Sequence, residues 1–550
     1  MRSVTSDSVR ETISDALIAA ARTVGVEGDI PDLELGRAKL PEHGDYASSA
    51  GLKLARVLRQ GPPAIAAKLA EAIVIPEGAA KAEAVGGYVN FRLTDEWLQR
   101  LVGQVAAAGL AYGSRNLGQN ERLQVEFGSI NPTGPLHIGH GRGVTLGDSM
   151  SRLLEFTGHN VHREYYVNSD NTQTRKFGAS VFARLHGKEP PEGGYHGEYV
   201  VDIAEMARQD LTGIESLPEE EAEPKLRRYA MEKVIDQIRA SVARLGVHYD
   251  EWFWESTVWE SSLGKTAIDR LRESGHLTER DGALWFGDPS DEEEEERVVI
   301  RANGQPTYFA SDLGYLISRF ERRGFNRVVE VWASDHHGYV PRMKAAAGAL
   351  GFDAEKLVVI LHQMVNLKEG KMSKRAGRFV PLDELIDRVG SDAVRFFYLL
   401  RSPDTTIDFD LELAVTQSNE NPVYYAQYAH ARLSNVEATA IERHARLPEK
   451  ADMSLLAEQW ELDVARQLAF WPDVVEDATR MLEPHRIPYY VQDLAAAVHR
   501  FYHAGNAQSE FRVVVEDAEL TRARLELCRA ARHTLKRALD LIGVSAPERM

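Results

Sequence analysis

Two histidines, His137 and His140, stand three residues apart around Gly139, where a strand-like run gives way to a helical one. Residues 124–127 alternate apolar and polar side chains as a strand does. Asn131, Pro132, Thr133, Gly134 and Pro135 then form a turn, since two prolines and a glycine extend neither strand nor helix. From Leu136 the apolar spacing is helical through Val144, Leu146, Met150, Leu153 and Leu154, with Gly158 as the stop. A strand entering a helix through a tight loop aims free N–H groups and the positive end of the helix dipole at whatever lies there, which favours phosphate. Imidazoles in the first turn add donors that can meet a phosphoryl group as its charge develops. A zinc reading is weaker, because no glutamate adjoins the first histidine as a metalloprotease requires.

Around this turn the chain divides into three parts. Residues 1–112 read as a small α+β unit with helices over 8–24, 47–58 and 62–73, and one strand over 82–93 broken at Gly86-Gly87. Residues 113–410 alternate apolar strands with helical patterns, which predicts a parallel α/β sheet. A polar interval at about 185–298 reads as an insertion. Strands are predicted at 327–333 and 356–366, and Asp335, His336 and His337 follow the first of them. Ligands of such sheets sit beyond the carboxyl ends of the strands. Residues 411–550 have helical spacing throughout and predict an all-α bundle with helices over 421–436, 455–482, 488–506 and 520–542.

The tetrapeptide HIGH at 137–140 resembles the signature of class I aminoacyl-tRNA synthetases, and the hexapeptide GKMSKR at 370–375 resembles their KMSKS loop. The strings VEFGSINPTGPLHIGHGRG, GQPTYFASDLGY, VWASDHHGYVPR, LLRSPDTTIDFDLELA and QSNENPVYYAQYAHAR narrow the resemblance to arginyl-tRNA synthetases over nearly the whole chain. Gly-Gly-Tyr-Val-Asn-Phe at 86–91 resembles that family's N-terminal domain, and Asp392-Ala393-Val394-Arg395 with the helices after it resembles its DALR-type anticodon-binding domain. The implied architecture is a Rossmann-like HIGH-type nucleotide-binding catalytic domain between a small α+β tRNA-elbow domain and a helical bundle.

The resemblance implies activation of L-arginine by ATP, with Mg²⁺, to arginyl-adenylate, and transfer to tRNA-Arg with release of AMP and pyrophosphate. It makes His137, His140, Lys371 and Lys374 catalytic. Pro135, Gly139, His140, Asp335, His336, Met372 and Ser373 would bind ATP. Two adjacent histidines on a strand end point to opposite sides, so at most one of His336 and His337 would face the nucleotide. Glu126, Ser129, Asn131 and His137 would hold the amino acid's amino and carboxylate groups, and Glu255, Tyr308 and Asp312 its guanidinium. A guanidinium is a planar fork of donors, so carboxylates in bidentate geometry suit it. Tyr308 and Asp312 share a face if their segment is helical. Tyr88 and Asn90 match positions that meet the tRNA elbow. Tyr424, Tyr425, Tyr428, His430, Arg432, Arg500, Tyr502 and Arg512 form an aromatic, basic set suited to an anticodon loop. One departure stands out: Ser169-Asp170-Asn171-Thr172 occupies the place where the family commonly shows an acid directly after Asn168 and a glycine before Gln173.

Composition fits and narrows this. The chain has 550 residues, 43% hydrophobic and 27% charged, which is globular and too long for one core. One cysteine, Cys528, excludes a disulfide framework and thiolate-rich zinc sites. The amphipathic N-terminus is neither signal peptide nor membrane span, so a cytoplasmic monomer without membrane contact is expected. The net charge of −18 argues against non-specific coating of nucleic acid, while leaving room for a local basic face. The acidic run at 291–296 reads as a solvated loop facing away from RNA. Two rivals remain: another nucleotidyl transferase of the same fold, for which the helical tail has no use, and a non-catalytic arginine or RNA sensor, which the altered loop keeps open.

Overall fold

The computed structural model describes residues 8–287, 297–368, 380–443 and 448–550. Lys371, Met372, Ser373 and Lys374 lie outside the described residues, as does the acidic run at 291–296. The chain folds as two compact units. One comprises residues 116–416 with 542–544, the other residues 1–115, 417–541 and 545–550.

The first unit is built on a five-stranded sheet, parallel throughout. Its elements in chain order are β1 (Arg122–Phe127), α1 (Ile138–Phe156), β2 (Asn160–Val167), α2 (Thr172–Leu185), β3 (Glu251–Trp254), α3 (Tyr308–Ile317), β4 (Arg327–Ala333) and β5 (Leu357–His362). The strand order is β5-β4-β1-β2-β3. The order reverses between β1 and β4, which is where an open α/β sheet leaves a crevice for ligands. The polar interval at 185–298 contributes helices, among them Glu198–Asp210 and Glu219–Arg244, and also β3, the edge strand of the central sheet.

The packing of α1 on β1 requires a glycine. A Cβ on Gly147 would come within 2.1 Å of the Phe127 ring, so the helix lies closer to the strand than any side chain permits. Arg395, on the helix Ser391–Tyr398, is fully buried. Its guanidinium donates to Asp148 Oδ2 (2.6 Å), Leu245 O (2.8 Å) and Ile542 O (2.7 Å). One side chain thus satisfies two buried carbonyls and a buried carboxylate.

In the second unit, four antiparallel strands in the order Gly36–Arg37, Tyr46–Ser48, Tyr88–Leu93, Ala80–Val85 accompany four long helices, Pro422–Arg443, Gln459–Arg480, Arg486–Ala507 and Ala518–Leu541. The segment expected as one broken strand is a hairpin. Val85 pairs with Tyr88 across a two-residue turn that begins at Gly86, where φ is +59°. Buried polar pairs hold this unit together, among them Tyr46 to Asp473 (2.7 Å), Arg524 to Glu461 (2.6 Å) and the Trp471 indole N–H to Tyr112 O (3.0 Å).

Replacing Arg395 by leucine strands Asp148 in the interior. The expected loss is about 3–5 kcal/mol, read as a lower urea midpoint of the first unit. The double variant Arg395→Leu/Asp148→Asn should recover part of it.

Candidate active site

The histidine turn caps itself. The helix begins at Ile138, so His137 is its N-cap and not, as its spacing suggested, a first-turn residue. His137 Nδ1 accepts from the N–H groups of Gly139 (3.1 Å) and His140 (3.4 Å), and His140 Nδ1 accepts from the N–H of His137 (3.2 Å). The rings stack with centroids 3.3 Å apart. Because each Nδ1 is an acceptor, the proton of each neutral ring sits on Nε2. Burial lowers both pKa values, and His140 falls to about 3 with His137 and His362 contributing. Two neutral N–H donors result, fixed by backbone geometry.

Other elements converge on this turn. Ile138 N donates to Val380 O (3.0 Å), and Leu382 N donates to Leu136 O (2.8 Å). The first described residues after the lysine segment are therefore bonded directly to the histidine turn. Arg142 donates to Gln363 O (2.7 Å) and Ser402 O (2.8 Å), and Gln363 Oε1 takes the Ser334 hydroxyl (3.1 Å). His362, at the end of β5, is lowered to about 4 by burial, with Asp335 pulling the other way. Asp335, His336 and His337 are exposed and lie on a 3-10 turn, Ser334–Tyr339, beyond the end of β4. Opposite-face alternation does not apply to such a turn, because successive side chains there are about 120° apart.

The acids separate into two groups. In register across the sheet, Glu330, Glu126, Glu164 and Glu251 form one row. A π-helical turn, Ser318–Arg322, continues α3 and brings two guanidinium groups to that row. Arg319 pairs with Glu126 and Glu330, and Arg323 with Glu164 and Glu251. His162 bonds Glu164 and Glu251 and is raised to about 9 by them, which adds a third cation. Glu126 is therefore already matched to Arg319 at a buried site. His162, Glu164 and Glu251 lie close enough to hold a metal ion, but Arg323 and the Tyr315 hydroxyl take up the carboxylates, so the cluster reads as a structural ion network.

Asp312 and Glu255 differ. Asp312 lies one turn after Tyr308 on α3, so the two share a face as expected. Burial pushes the Asp312 carboxyl up to about 8, with Glu255 and Glu330 adding to the rise and Tyr339 and Arg342 opposing it. Burial also raises Glu255, which accepts from the N–H of Ser169 (2.9 Å) and of Asp170 (3.3 Å). Tyr308 is 49% exposed. Nearby, Ser129 Oγ accepts from Tyr166 N (3.0 Å). The Asn131 amide is held by Asn171 (3.0 Å) and Gln173 (2.8 Å). Sequence reasoning missed Asn171, Arg319, Tyr315 and Tyr339, whose partners are distant in the chain.

In the second unit Tyr88 is 48% exposed, whereas Asn90, two residues on, is 7% exposed. A cavity of about 590 Å³ is lined by Tyr428, Arg432, Tyr502 and Arg512, and also by Asn435, Asn506 and the terminal Met550. The Arg432 guanidinium lies over the Tyr428 ring at 4.2 Å. His430 is buried and bonded to Pro547 O (2.9 Å), which removes it from an exposed recognition face.

Family models match almost all of the chain. Residues 7–93 match the "Arginyl tRNA synthetase N terminal domain", residues 102–190 and 192–435 match "tRNA synthetases class I (R), catalytic domain", and residues 426–550 match the "DALR anticodon binding domain". The chain is 42% identical to the arginine–tRNA ligase of Moorella thermoacetica over 98% of its own length and 100% of that protein. It is 40% identical to that of Dehalococcoides mccartyi, over 99% of each. The solved Thermus thermophilus arginyl-tRNA synthetase is similar at TM-score 0.79 and 26% identity, covering 98% of this chain and all of that one. A Mycobacterium tuberculosis methionyl-tRNA synthetase shares the fold at TM-score 0.52 and 14% identity, over 77% of this chain and 91% of its own.

His140 and His362 stay neutral in the folded state well below the ordinary histidine value. Between pH 6.5 and 5 only the unfolded chain takes up these protons, so stability falls as pH falls, by up to about 2 kcal/mol per histidine. A His140→Gln/His362→Gln variant should show a flatter dependence of melting temperature on pH over that interval.

Proposed function

The chain belongs to the arginyl-tRNA synthetase family and is an arginine–tRNA ligase; from that premise we propose which of its residues do the work. It joins arginine to tRNA with ATP as the energy source, and within the described residues no helix is long and apolar enough to cross a membrane.

The arginine carboxylate attacks the α-phosphorus of ATP, a P–O bond to pyrophosphate breaks, and a mixed anhydride with AMP forms. A hydroxyl at the 3′ end of the tRNA then attacks the acyl carbon and AMP leaves. In the first step His137 and His140 give their Nε2 protons as hydrogen bonds to the α-phosphate oxygens, where fixed donors count most as charge develops. Their neutrality means that neither has to lose a proton first. Gly139 lies beneath the adenine, and Pro135, Asp335 and His336 edge the nucleotide. Lys371 and Lys374, with Met372 and Ser373, serve the β- and γ-phosphates. That role follows from the resemblance and is supported by the bonds from residues 380–382 to the histidine turn. Five residues lie between Lys374 and Val380, a reach of at most about 22 Å. Mg²⁺ fits this edge: it prefers oxygen ligands and keeps substrate phosphates and waters, and Asp335 is an exposed carboxylate beside the turn.

For the amino acid, Ser129 and Asn131 hold the amino and carboxylate groups beside His137, with Glu126 acting in company with Arg319. Asp312 and Glu255 take the guanidinium, with Tyr308 as a wall. The observation that carries this reading is placement: Asp312 lies one turn after Tyr308 on α3, Glu255 is buried and accepts from Ser169 N (2.9 Å), and burial raises both carboxyls. An incoming guanidinium would restore both to the charged form. A lysine ammonium is a point charge and leaves part of a fork-shaped acceptor set unpaired. Tyr88 and Asn90 meet the tRNA elbow, and the cavity beside Tyr428, Arg432, Tyr502 and Arg512 receives a base of the anticodon loop. We assign the three functional segments to 1–112, 113–410 and 411–550, and propose a cytoplasmic monomer.

Isotope exchange between pyrophosphate and ATP should depend on L-arginine, and fail with lysine or glutamate, with or without tRNA according to whether the first step needs it. Exchange with either of those amino acids but not arginine would overturn the assignment of the acids. Asp312→Asn should weaken arginine binding by about 2–4 kcal/mol; unchanged affinity in calorimetry removes Asp312 from the site.

A further inference from the structure

We propose that Tyr339 is a positioning residue for the guanidinium site, holding Asp312 in the plane and orientation that a planar fork of donors requires. This deepens the reading above and rests on Asp312 being the guanidinium acceptor.

The Tyr339 hydroxyl donates to Asp312 Oδ2. Its ring also lies 5.8 Å from that of Tyr308, 5.9 Å from Trp332 and 6.2 Å from Phe309. One side chain therefore touches both the acid and the aromatic wall assigned to the guanidinium. The terminal torsion of an aspartate is broad and two-fold. A phenol fixed by neighbouring rings removes that freedom by occupying one oxygen, and leaves the other oriented for a ligand. Tyr339 closes the short turn that begins with Ser334 and carries Asp335 and His336, so one hydrogen bond also joins the nucleotide edge to the acid.

The same contact sets the charge of Asp312. Facing it are Tyr339 and Arg342 from the turn and the helix after it, Glu255 from the end of β3, Glu330 from β4 and Tyr166 from β2. Of these, Tyr339 and Arg342 favour the ionised carboxylate, while Glu255 and Glu330 oppose it. Removing the phenol hydroxyl therefore moves the Asp312 carboxyl further up, above about 8.

The test is Tyr339→Phe in the full-length enzyme, with Asp312→Asn as reference, measured as the KM values of arginine and ATP in pyrophosphate exchange, supplied with tRNA if wild type needs it. Loss of one hydrogen bond to a charged group predicts an arginine KM about tenfold above wild type at pH 6.5, where the carboxyl is protonated, and about threefold above it at pH 8.5. The ATP KM should stay within about twofold, which general damage to the fold would not respect. Arginine calorimetry on the same variant gives the same ratio independent of turnover. An unchanged arginine KM, a parallel rise in both KM values, or a deficit equal at the two pH values overturns the proposal while leaving the assignment of Asp312 intact. If Asp312→Asn itself leaves arginine affinity unchanged, the underlying reading of the site fails first and Tyr339 has nothing to position.

Discussion

Charge neutrality in the interior is the constraint on which the arrangement depends. Parallel register places Glu330, Glu126, Glu164 and Glu251 side by side, and adjacent carboxylates, the first three buried, would repel one another strongly. Arg319 and Arg323 answer that row from the turn that continues α3, and His162 from β2 itself. Glu164 is held below its ordinary value despite complete burial, because Arg323, His162 and Tyr315 all favour its anion. Asp312 and Glu255, close by and of the same chemistry, move the other way. The difference separates acids matched by the protein's own cations from the two raised by burial, which the proposed site assigns to a cationic ligand. It also gives Glu126 a share in both groups: its place beside Ser129 and Asn131 is the one expected for ligand contact, yet its oxygen is on Arg319.

The histidine turn solves a related problem by different means. Free N–H groups at a helix start need acceptors, and here the imidazole nitrogens of the turn supply them. Capping and tautomer are thus one fact. A protonated ring would lose its acceptor nitrogen and set two cations in a stack. Burial keeps the pair neutral, so the turn offers hydrogen-bond donors without carrying charge.

Much of this was legible in the sequence, and the boundary of legibility is physical. Helix periodicity located the four long C-terminal helices, because each hides a stripe of Ala and Leu. The alternation of 124–127 and the apolar run 327–333 located β1 and β4. The four-residue spacing placed Tyr308 and Asp312 on one face. Local chemistry hid the rest: the Gly86 turn reads as a gap until its two sides pair, and a histidine N-cap looks like a helical histidine. Long-range partners were out of reach altogether. Arg319 and Glu126 are separated by 193 residues, and Tyr339 and Asp312 by 27, and no local pattern records either pairing. Placing β3 in the sheet likewise needed its register with β2, since the stretch around it is polar.

The departure at 169–172 bears on whether the site is still a working one. In the family's usual pattern an acid and a glycine stand in this loop; here the acid is displaced to Asp170, whose carboxylate is paired with Arg175 (3.0 Å) and Arg227 (2.9 Å) and so is not directed to a substrate amine. What the loop gives the site instead comes from its backbone, from the Ser169 hydroxyl and from Asn171. The N–H groups of Ser169 and Asp170 reach Glu255. Asn171 caps α2 through Thr174 N and reaches Asn131 with its amide. Backbone donors survive any change of side chain, and asparagine is among the best N-caps available. The fold by itself selects no amino acid, since the methionyl enzyme of Mycobacterium tuberculosis shares it. Selection has to come from segments attached to the sheet; the proposed site places it on α3 and the end of β3, and the altered loop holds the latter through the N–H groups of Ser169 and Asp170 and through the Ser169 hydroxyl, which accepts from Ser256 N (3.1 Å).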